Sequence, residues 1–226
     1  MDLEYLLDVT PALLVKLPLV LGVVVSSAVG GFTLAVLVTA LRLRRVPLLH
    51  PLLEGYVSFM RCTPGIIHIL LVYYGLPVLL GAFGIHIDAL SKVAFAVITL
   101  VLSAGAVMSE VMRPALLAVS PEQREAALSV GMTRTQTALR VTAPQALPVA
   151  LPNLGNAVIA LLDDTSLLFL IGVIDLMGLA EVLISDSYGI HKLEVYVAIA
   201  LIYWACTIAI SALIRRAEAS IAEYVK

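Results

Sequence analysis

Long runs without a charged residue are the feature of this sequence that most constrains its fold. A helix needs about 20 apolar residues to cross roughly 30 Å of hydrocarbon. Runs of about that length cover residues 17–41, 62–87, 93–109, 141–162 and 195–214. The 226-residue chain is 61% hydrophobic and 13% charged, against about 45–50% and about 25% in soluble domains. The sequence therefore predicts an all-α membrane protein with five transmembrane helices.

The predicted spans form a single transmembrane domain over residues 1–226. The third run is short, and it lengthens if Glu110 and Arg113 are buried within the protein. The fourth run contains Pro144, Pro148 and Pro152, which predict an irregular or kinked start. With these adjustments the predicted spans are 17–41, 62–82, 92–114, 145–169 and 194–215.

The distribution of arginine predicts the orientation, since cytoplasmic loops of membrane proteins are enriched in Lys and Arg. Arginines follow the first and fifth spans and fill the segment between the third and fourth. The opposite loops carry only Lys16, Lys92 and Lys192, together with several acids. We therefore expect the N-terminus outside and the C-terminus in the cytoplasm.

The segment 120–143 interrupts the apolar runs on the predicted cytoplasmic side. Ser120 and Gln123 match the spacing of a capping box, and Thr133 and Gln136 match a second one. Gly131 lies between them, where it suits a left-handed helix C-cap. This pattern predicts two short helices joined at a glycine hinge. A capped surface loop without any partner explains the same spacing.

The residue types in this segment resemble a known family. Glu125, Ala126, Ala127 and Gly131, followed by residues 141–144, resemble the EAA motif of ABC importer permeases, although Val141 departs from its usual pattern. Three further segments, 58–77, 108–127 and 164–180, are similar in the same order to motifs of polar amino-acid permeases.

The resemblance implies a type I ABC importer permease fold in a bacterial cytoplasmic (inner) membrane, with one coupling helix on the cytoplasmic side. Glu125, Ala126, Ala127 and Gly131 would contact a dimer of cytoplasmic ATP-binding subunits. A second permease subunit, identical or homologous, would complete the pathway in the lipid bilayer, and an extracytoplasmic solute-binding protein would deliver a polar amino acid or a related solute.

The chain is expected to bind no cofactor itself. It lacks the G-x-x-x-x-G-K-[ST] loop that cradles nucleotide phosphates, so ATP and Mg²⁺ would be used by the partner ATPase. We expect no enzymatic activity and no nucleic-acid partner, since the net charge is only -2. Hydropathy alone also allows a passive channel or a secondary transporter that works without an ATPase, but the capped cytoplasmic hinge argues against both.

Polar residues at membrane depth are costly and often functional. Glu110 and Arg113 are three residues apart, so we expect them to share a helix face and to pair. Arg61 begins the second span beside Thr63. Arg61, Thr63 and Glu110 are therefore candidates for lining the solute pathway, as are residues 163–166. Anchoring the helix end is the alternative role of Arg61.

The run Asp163, Asp164, Thr165 and Ser166 lies late in the fourth span. The family often has Lys-Asp-Thr-Ser here, so Asp163 reverses a charge. We hypothesise that Asp163 faces the solute pathway and favours an ammonium group or a basic side chain. In the alternative, structural interpretation, Asp164 or Thr165 caps a helix that begins near Leu167.

Overall fold

The computed structural model describes the backbone of residues 2–224 and the side chains through Ile221. Within that part of the chain every regular element is a helix, which confirms the all-α class. The α-helices are α1 (Leu3–Leu14), α2 (Leu17–Arg44), α3 (Leu49–Cys62), α4 (Gly65–Leu70), α5 (Leu76–Gly81), α6 (Lys92–Leu117), α7 (Pro121–Ser129), α8 (Arg134–Thr137), α9 (Ala143–Thr165), α10 (Leu176–Asp186) and α11 (Lys192–Tyr224). Two π-helical turns (Leu71–Gly75 and Ala138–Thr142) and one 3₁₀ turn (Leu168–Ile171) complete the set.

Four of the described helical stretches are long and apolar enough to cross a membrane, and a bent pair of helices makes a fifth if the two form one span. The pair is α3 with the helix Gly65–Gly81, and the two are bent by 118°. The span predicted over 62–82 corresponds to the helix Gly65–Gly81, and its sharp bend against α3 was not predicted. Thr63 is held extended (φ -106°, ψ 140°) because it precedes Pro64, and this ends α3.

The third and fourth predicted spans also differ in their bounds from the helices observed. Helix α6 includes Glu110 and Arg113, both half-buried, and continues to Leu117. The fourth stretch runs from Arg134 to Thr165, so it begins earlier and ends earlier than the predicted 145–169. Its irregular part is the π-helical turn before Ala143, whereas two prolines are accommodated inside α9.

Helices α2 and α6 form the centre of the bundle and run parallel. Their ends meet where the Thr39 hydroxyl donates to the Ser109 carbonyl over 3.4 Å. Close approach depends on glycine, since a Cβ on Gly31 would lie 2.5 Å from the Cβ of Ala104. Small residues take this role in membranes because lipid provides no hydrophobic driving force between helices.

Helix α9 packs against both α6 and α11, and two contacts show which helix ends lie together. The Lys92 ammonium donates to the Gly172 carbonyl over 3.4 Å, which places the start of α6 beside the end of the α9 region. Gly155, midway along α9, packs against Ile214, in the last third of α11. The arginine-rich ends of α2, α6 and α11 therefore lie at one end of the bundle.

The N-terminal helix α1 was not predicted. The Asp2 carboxylate caps it by accepting from the backbone N–H groups of Glu4 and Tyr5. The Tyr5 ring stacks on His191 with ring centroids 3.8 Å apart, at the end of the bundle opposite the arginines. Helix α1 thus closes over the start of α11.

Candidate functional site

The first helix of the arginine-rich segment, α7, begins as predicted but is capped differently. Ser120 occupies the N-cap position with Pro121 next to it, yet its hydroxyl accepts no bond from the helix backbone. The predicted capping box with Gln123 is therefore wrong. The Glu122 carboxylate instead interacts with the backbone N–H group of its own residue and with the Ser120 hydroxyl. Both interactions hold the pKa of Glu122 below its usual range.

The second helix, α8, carries the capping box that the sequence predicts. The Gln136 backbone N–H donates to the Thr133 hydroxyl over 3.2 Å, and the Thr133 N–H donates to the Gln136 side-chain oxygen over 2.9 Å. A separate bond from the Arg124 guanidinium to the Leu116 carbonyl ties α7 back to the end of α6. The segment is thus held at a defined angle to the bundle.

Gly131 forms the hinge between α7 and α8. Its φ of +86° lies in the left-handed region, where a side chain is strained. The Met132 N–H donates to the Ala127 carbonyl over 3.2 Å and the Gly131 N–H to the Leu128 carbonyl over 3.0 Å. This pair of bonds is a Schellman motif, so the predicted left-handed cap is confirmed. Gly131 itself is exposed.

The predicted contact residues divide between two faces of α7. Glu125 and Ala126 are exposed, whereas Ala127 is 7% exposed and packs against its own chain. Two apolar side chains, Leu128 and Val130, are 44% and 75% exposed beside them. The open face of this segment is therefore an acidic residue followed by small and apolar ones.

An ionic cluster joins α2, α3 and α6 at the same end. The Arg42 side chain, 2% exposed, donates twice to Glu54 over 3.0 and 2.8 Å and once to Glu110 over 2.7 Å. The second Glu110 oxygen accepts from Arg61 over 2.6 Å. Two guanidinium groups and two carboxylates thus balance one another across three helices.

This cluster corrects the predicted pairing of Glu110 with Arg113. Both residues lie on α6, but arginines from two other helices hold the two Glu110 oxygens. The sequence treated Arg42 only as a marker of orientation and gave Glu54 no role. The sole signal was that Glu54 is the one acid in the segment between the first two apolar runs.

The predicted polar run at the end of α9 does not point in one direction. Asp163 is exposed and Asp164 is half-buried. The fully buried Thr165 hydroxyl donates to the Leu162 carbonyl over 2.6 Å and lies 3.1 Å from the Tyr203 hydroxyl. The Ser166 hydroxyl donates to the Asp163 carbonyl over 2.7 Å.

Thr165 and Ser166 therefore hold the helix end rather than line an open space. The alternative cap role is also wrong, because Asp164 and Thr165 still belong to α9 and Leu167, which precedes the 3₁₀ turn, makes no side-chain cap. Of the four residues, only Asp164 lines an enclosed space. Asp163 lies on the surface of the described chain.

That space is a narrow crevice between α4, α6 and the end of α9. Asp164 lies across from Gly65, where a Cβ would be 3.6 Å from the Asp164 Oδ1 atom. Thr63 lies at the bend just before it. The sequence missed the other polar residues around the crevice, since nothing in their spacing connects them. The lining residues are Gly65, His68, Ile69, Thr99, Leu100, Ser103, Asp164 and Leu167.

Known proteins resemble this chain over almost its whole length. The L-cystine transport system permease protein TcyL of Bacillus subtilis is 37% identical over 217 residues, covering 96% of this chain and 90% of that protein. The probable amino-acid ABC transporter permease protein PatM of Vibrio harveyi is 38% identical over 220 residues, covering 97% and 96%.

A solved structure gives the same result for the fold. A chain of an amino acid ABC transporter crystallised with histidines superposes with a TM-score of 0.83 at 28% identity, covering 97% of this chain and 99% of that one. A family model described as the binding-protein-dependent transport system inner membrane component matches residues 28–223. The chain therefore belongs to this family, the inner-membrane permease subunits of ABC importers.

Proposed function

We propose that this chain carries a polar amino acid or a closely related solute through the membrane, driven by an ATPase that docks on the face made by Glu125, Ala126, Leu128 and Val130. The observation that carries the proposal is the geometry of this segment. Its helix is fixed to α6 by Arg124, and Ala126 and the two apolar side chains stand exposed beside it. A rigid projection of this kind can receive motion from a partner.

The proposed mechanism is a rigid-body movement. Closure of two ATP-loaded ATPase subunits shifts α7, and the Schellman hinge at Gly131 with the capped α8 transmits the shift to the continuous stretch ending at Thr165. The spans then alternate between inward- and outward-facing arrangements. The ATPase binds ATP and Mg²⁺, whereas this chain provides the docking segment α7–α8 and the passage for the solute.

The proposed orientation places the arginine-rich end in the cytoplasm. The contacts between α2, α6, α9 and α11 gather the arginines at that end, and positively charged residues favour the cytoplasmic side. The start of α1 and the start of α11 then face outward, where a solute-binding protein delivers its cargo. A second permease subunit completes the passage.

The solute class is proposed from two kinds of support. The relatives include proteins named for cystine and for amino acids in general, and Asp163 and Asp164 place two adjacent carboxylates at the end of α9. A carboxylate favours an ammonium group or a basic side chain. Asp163 is exposed within the single chain, so its contact with solute requires that it face the second subunit's side of the passage.

The ATPase dock is tested by Ala126→Arg, which places a long charged side chain on the small exposed face. Co-purification of the ATPase subunit with the variant is expected to fall sharply, while Ala82→Arg, at an exposed alanine just after α5, leaves it unchanged. Equal recovery of the ATPase subunit with both variants would contradict this dock.

The solute preference is tested by Asp163→Lys in the assembled importer. Uptake of labelled arginine relative to glutamine is expected to fall, because the added cation repels a second positive charge. An unchanged ratio of the two uptake rates would remove Asp163 from the solute pathway.

A further inference from the structure

His68 lies on α4 in the crevice beside Asp164 and is 3% exposed. Neither of its ring nitrogens has a hydrogen-bond partner within the described part of the chain. The Phe59 ring packs beside the imidazole with ring centroids 5.7 Å apart, but this contact satisfies neither nitrogen. Buried polar atoms are nearly always paired, so an imidazole with two free nitrogens requires an explanation.

Fold stability does not explain this histidine. An unpaired buried polar group is destabilising, and an apolar side chain of similar size would pack in the same place at no such cost. The neighbouring side chains on α4 and α6 include Ile69 and Leu100, which are apolar and buried. The two ring nitrogens are therefore available to a polar group that enters the crevice.

The crevice brings together groups that suit a zwitterion. Gly65 and His68 lie three residues apart on α4 and so share one face of that helix. The Asp164 carboxylate stands opposite Gly65, and Ser103 and Thr99 supply hydroxyl groups from α6. A carboxylate binds an ammonium group, and a neutral imidazole donates one hydrogen bond to a carboxylate oxygen.

The geometry points to His68 as a solute-contacting residue of the passage, whose imidazole binds the carboxylate of an amino acid while Asp164 faces its ammonium group. The inference rests on the proposed function. In the conformation described, the crevice has room for no more than about one water molecule. Solute therefore reaches His68 only when α4 and α9 move apart during the transport cycle.

The test compares His68→Leu, which fills the site with an apolar side chain, with His68→Gln, which keeps a donor and an acceptor. His86→Leu is the matched control, since it makes the same change at an exposed histidine outside the crevice. Each variant is assembled with the ATPase subunit and the solute-binding protein of the importer. Initial uptake of labelled glutamine, cystine and arginine into proteoliposomes and the midpoint of thermal unfolding are measured.

His68→Leu is expected to lower uptake of the transported amino acid by at least about tenfold, the effect of one lost hydrogen bond to a charged group. Its unfolding midpoint is expected to stay equal or rise, because the unpaired nitrogens are gone. His68→Gln keeps more than about a third of the uptake, since an amide still donates a hydrogen bond. His86→Leu matches the wild type in both measurements.

Two results would overturn the inference. Uptake by His68→Leu within about twofold of the wild type would show that solute does not use the imidazole. A lowered unfolding midpoint, or loss of assembly, in His68→Leu and His68→Gln alike would assign the histidine to folding. If the wild-type assembly itself shows no ATP-dependent uptake, the proposed function fails instead, and the two failures are distinguishable.

Discussion

Glu54→Leu tests the ionic cluster that joins α2, α3 and α6. The change removes two of the three hydrogen bonds that the Arg42 guanidinium makes, at 3.0 and 2.8 Å, and leaves only Glu110 as its partner. The Arg42 side chain is 2% exposed and the Glu54 side chain 43% exposed, so water reaches the site only from the Glu54 side and replaces the lost carboxylate in part. At about 1.5 kcal/mol for each bond to a charged group, the variant loses about 3 kcal/mol of stability.

The exposed arm of the same cluster provides the matched control. Arg61→Gln removes a shorter bond, 2.6 Å, to Glu110. The Arg61 side chain is 50% exposed, so water already hydrates its charge in the wild-type protein. Exposed ion pairs contribute about 0–1 kcal/mol. For a chain of this size about 1 kcal/mol shifts the unfolding midpoint by about 2–4 °C. We therefore expect a fall of about 6–12 °C for Glu54→Leu and less than about 4 °C for Arg61→Gln.

A double variant separates the loss of a contact from the isolation of a buried charge. Arg42→Met with Glu54→Leu removes one cation and one anion, and the pair of Glu110 with Arg61 stays balanced. Replacing a buried ion pair by apolar residues is often nearly neutral. The double variant is therefore expected to recover most of the midpoint lost in Glu54→Leu.

The measurement is thermal unfolding of the purified permease complex, followed by tryptophan fluorescence at fixed protein and detergent concentration. Equal shifts for Glu54→Leu and Arg61→Gln would refute the ranking by burial. A double variant less stable than Glu54→Leu would refute the claim that an unpaired Arg42 charge is the cause of the loss.

Three further predictions follow from backbone geometry and burial. Gly131→Ala and Gly84→Ala each place a side chain at a positive φ (+86° and +77°), which costs about 1–2 kcal/mol of stability. Only Gly131→Ala should lower solute uptake per ATP hydrolysed. An equal loss of uptake in both variants would contradict the role of Gly131 as the hinge. Gly31→Leu should abolish assembly of the permease complex, since a Cβ at this position would lie 2.5 Å from the Cβ of Ala104. Gly22→Leu is the control, because a Cβ there meets no atom within 4 Å. Equal yields of the two complexes on gel filtration would refute the packing of α2 against α6. Burial raises the pKa of Asp175, so the contribution of this carboxyl to stability is largest at low pH and is lost as it ionises. Asp175→Asn keeps the cap on α10 and should make the unfolding midpoint depend less on pH; an unchanged dependence would contradict the burial argument.

The spans and the arginine-rich segment were predictable because their signals are local. An uncharged run of membrane length, a Thr133–Gln136 capping pair and Gly131 each report on residues within a few positions of one another. The structure contains the helices, the second capping box and the left-handed cap. The first capping box failed because Glu122 competes for the Ser120 hydroxyl, and spacing rules do not include that competition.

The bend and the polar contacts were not predictable because they depend on which helices become neighbours. Pro64 signals the end of a helix, but not the 118° between the two parts of the second span. Glu110 pairs with Arg42, 68 residues away along the chain, rather than with Arg113. His68 had no recognisable spacing to any other polar residue, and only the packing of α4 against α6 and α9 places it beside Asp164.

ATP-dependent uptake in proteoliposomes tests the central claim most directly. The permease is reconstituted with its solute-binding protein, with and without the ATPase subunit, and uptake of labelled glutamine, cystine and arginine is followed against a concentration gradient. We predict accumulation of at least one of them only when both the ATPase and ATP are present. Accumulation at the same rate without the ATPase would contradict the claim and would favour a secondary transporter.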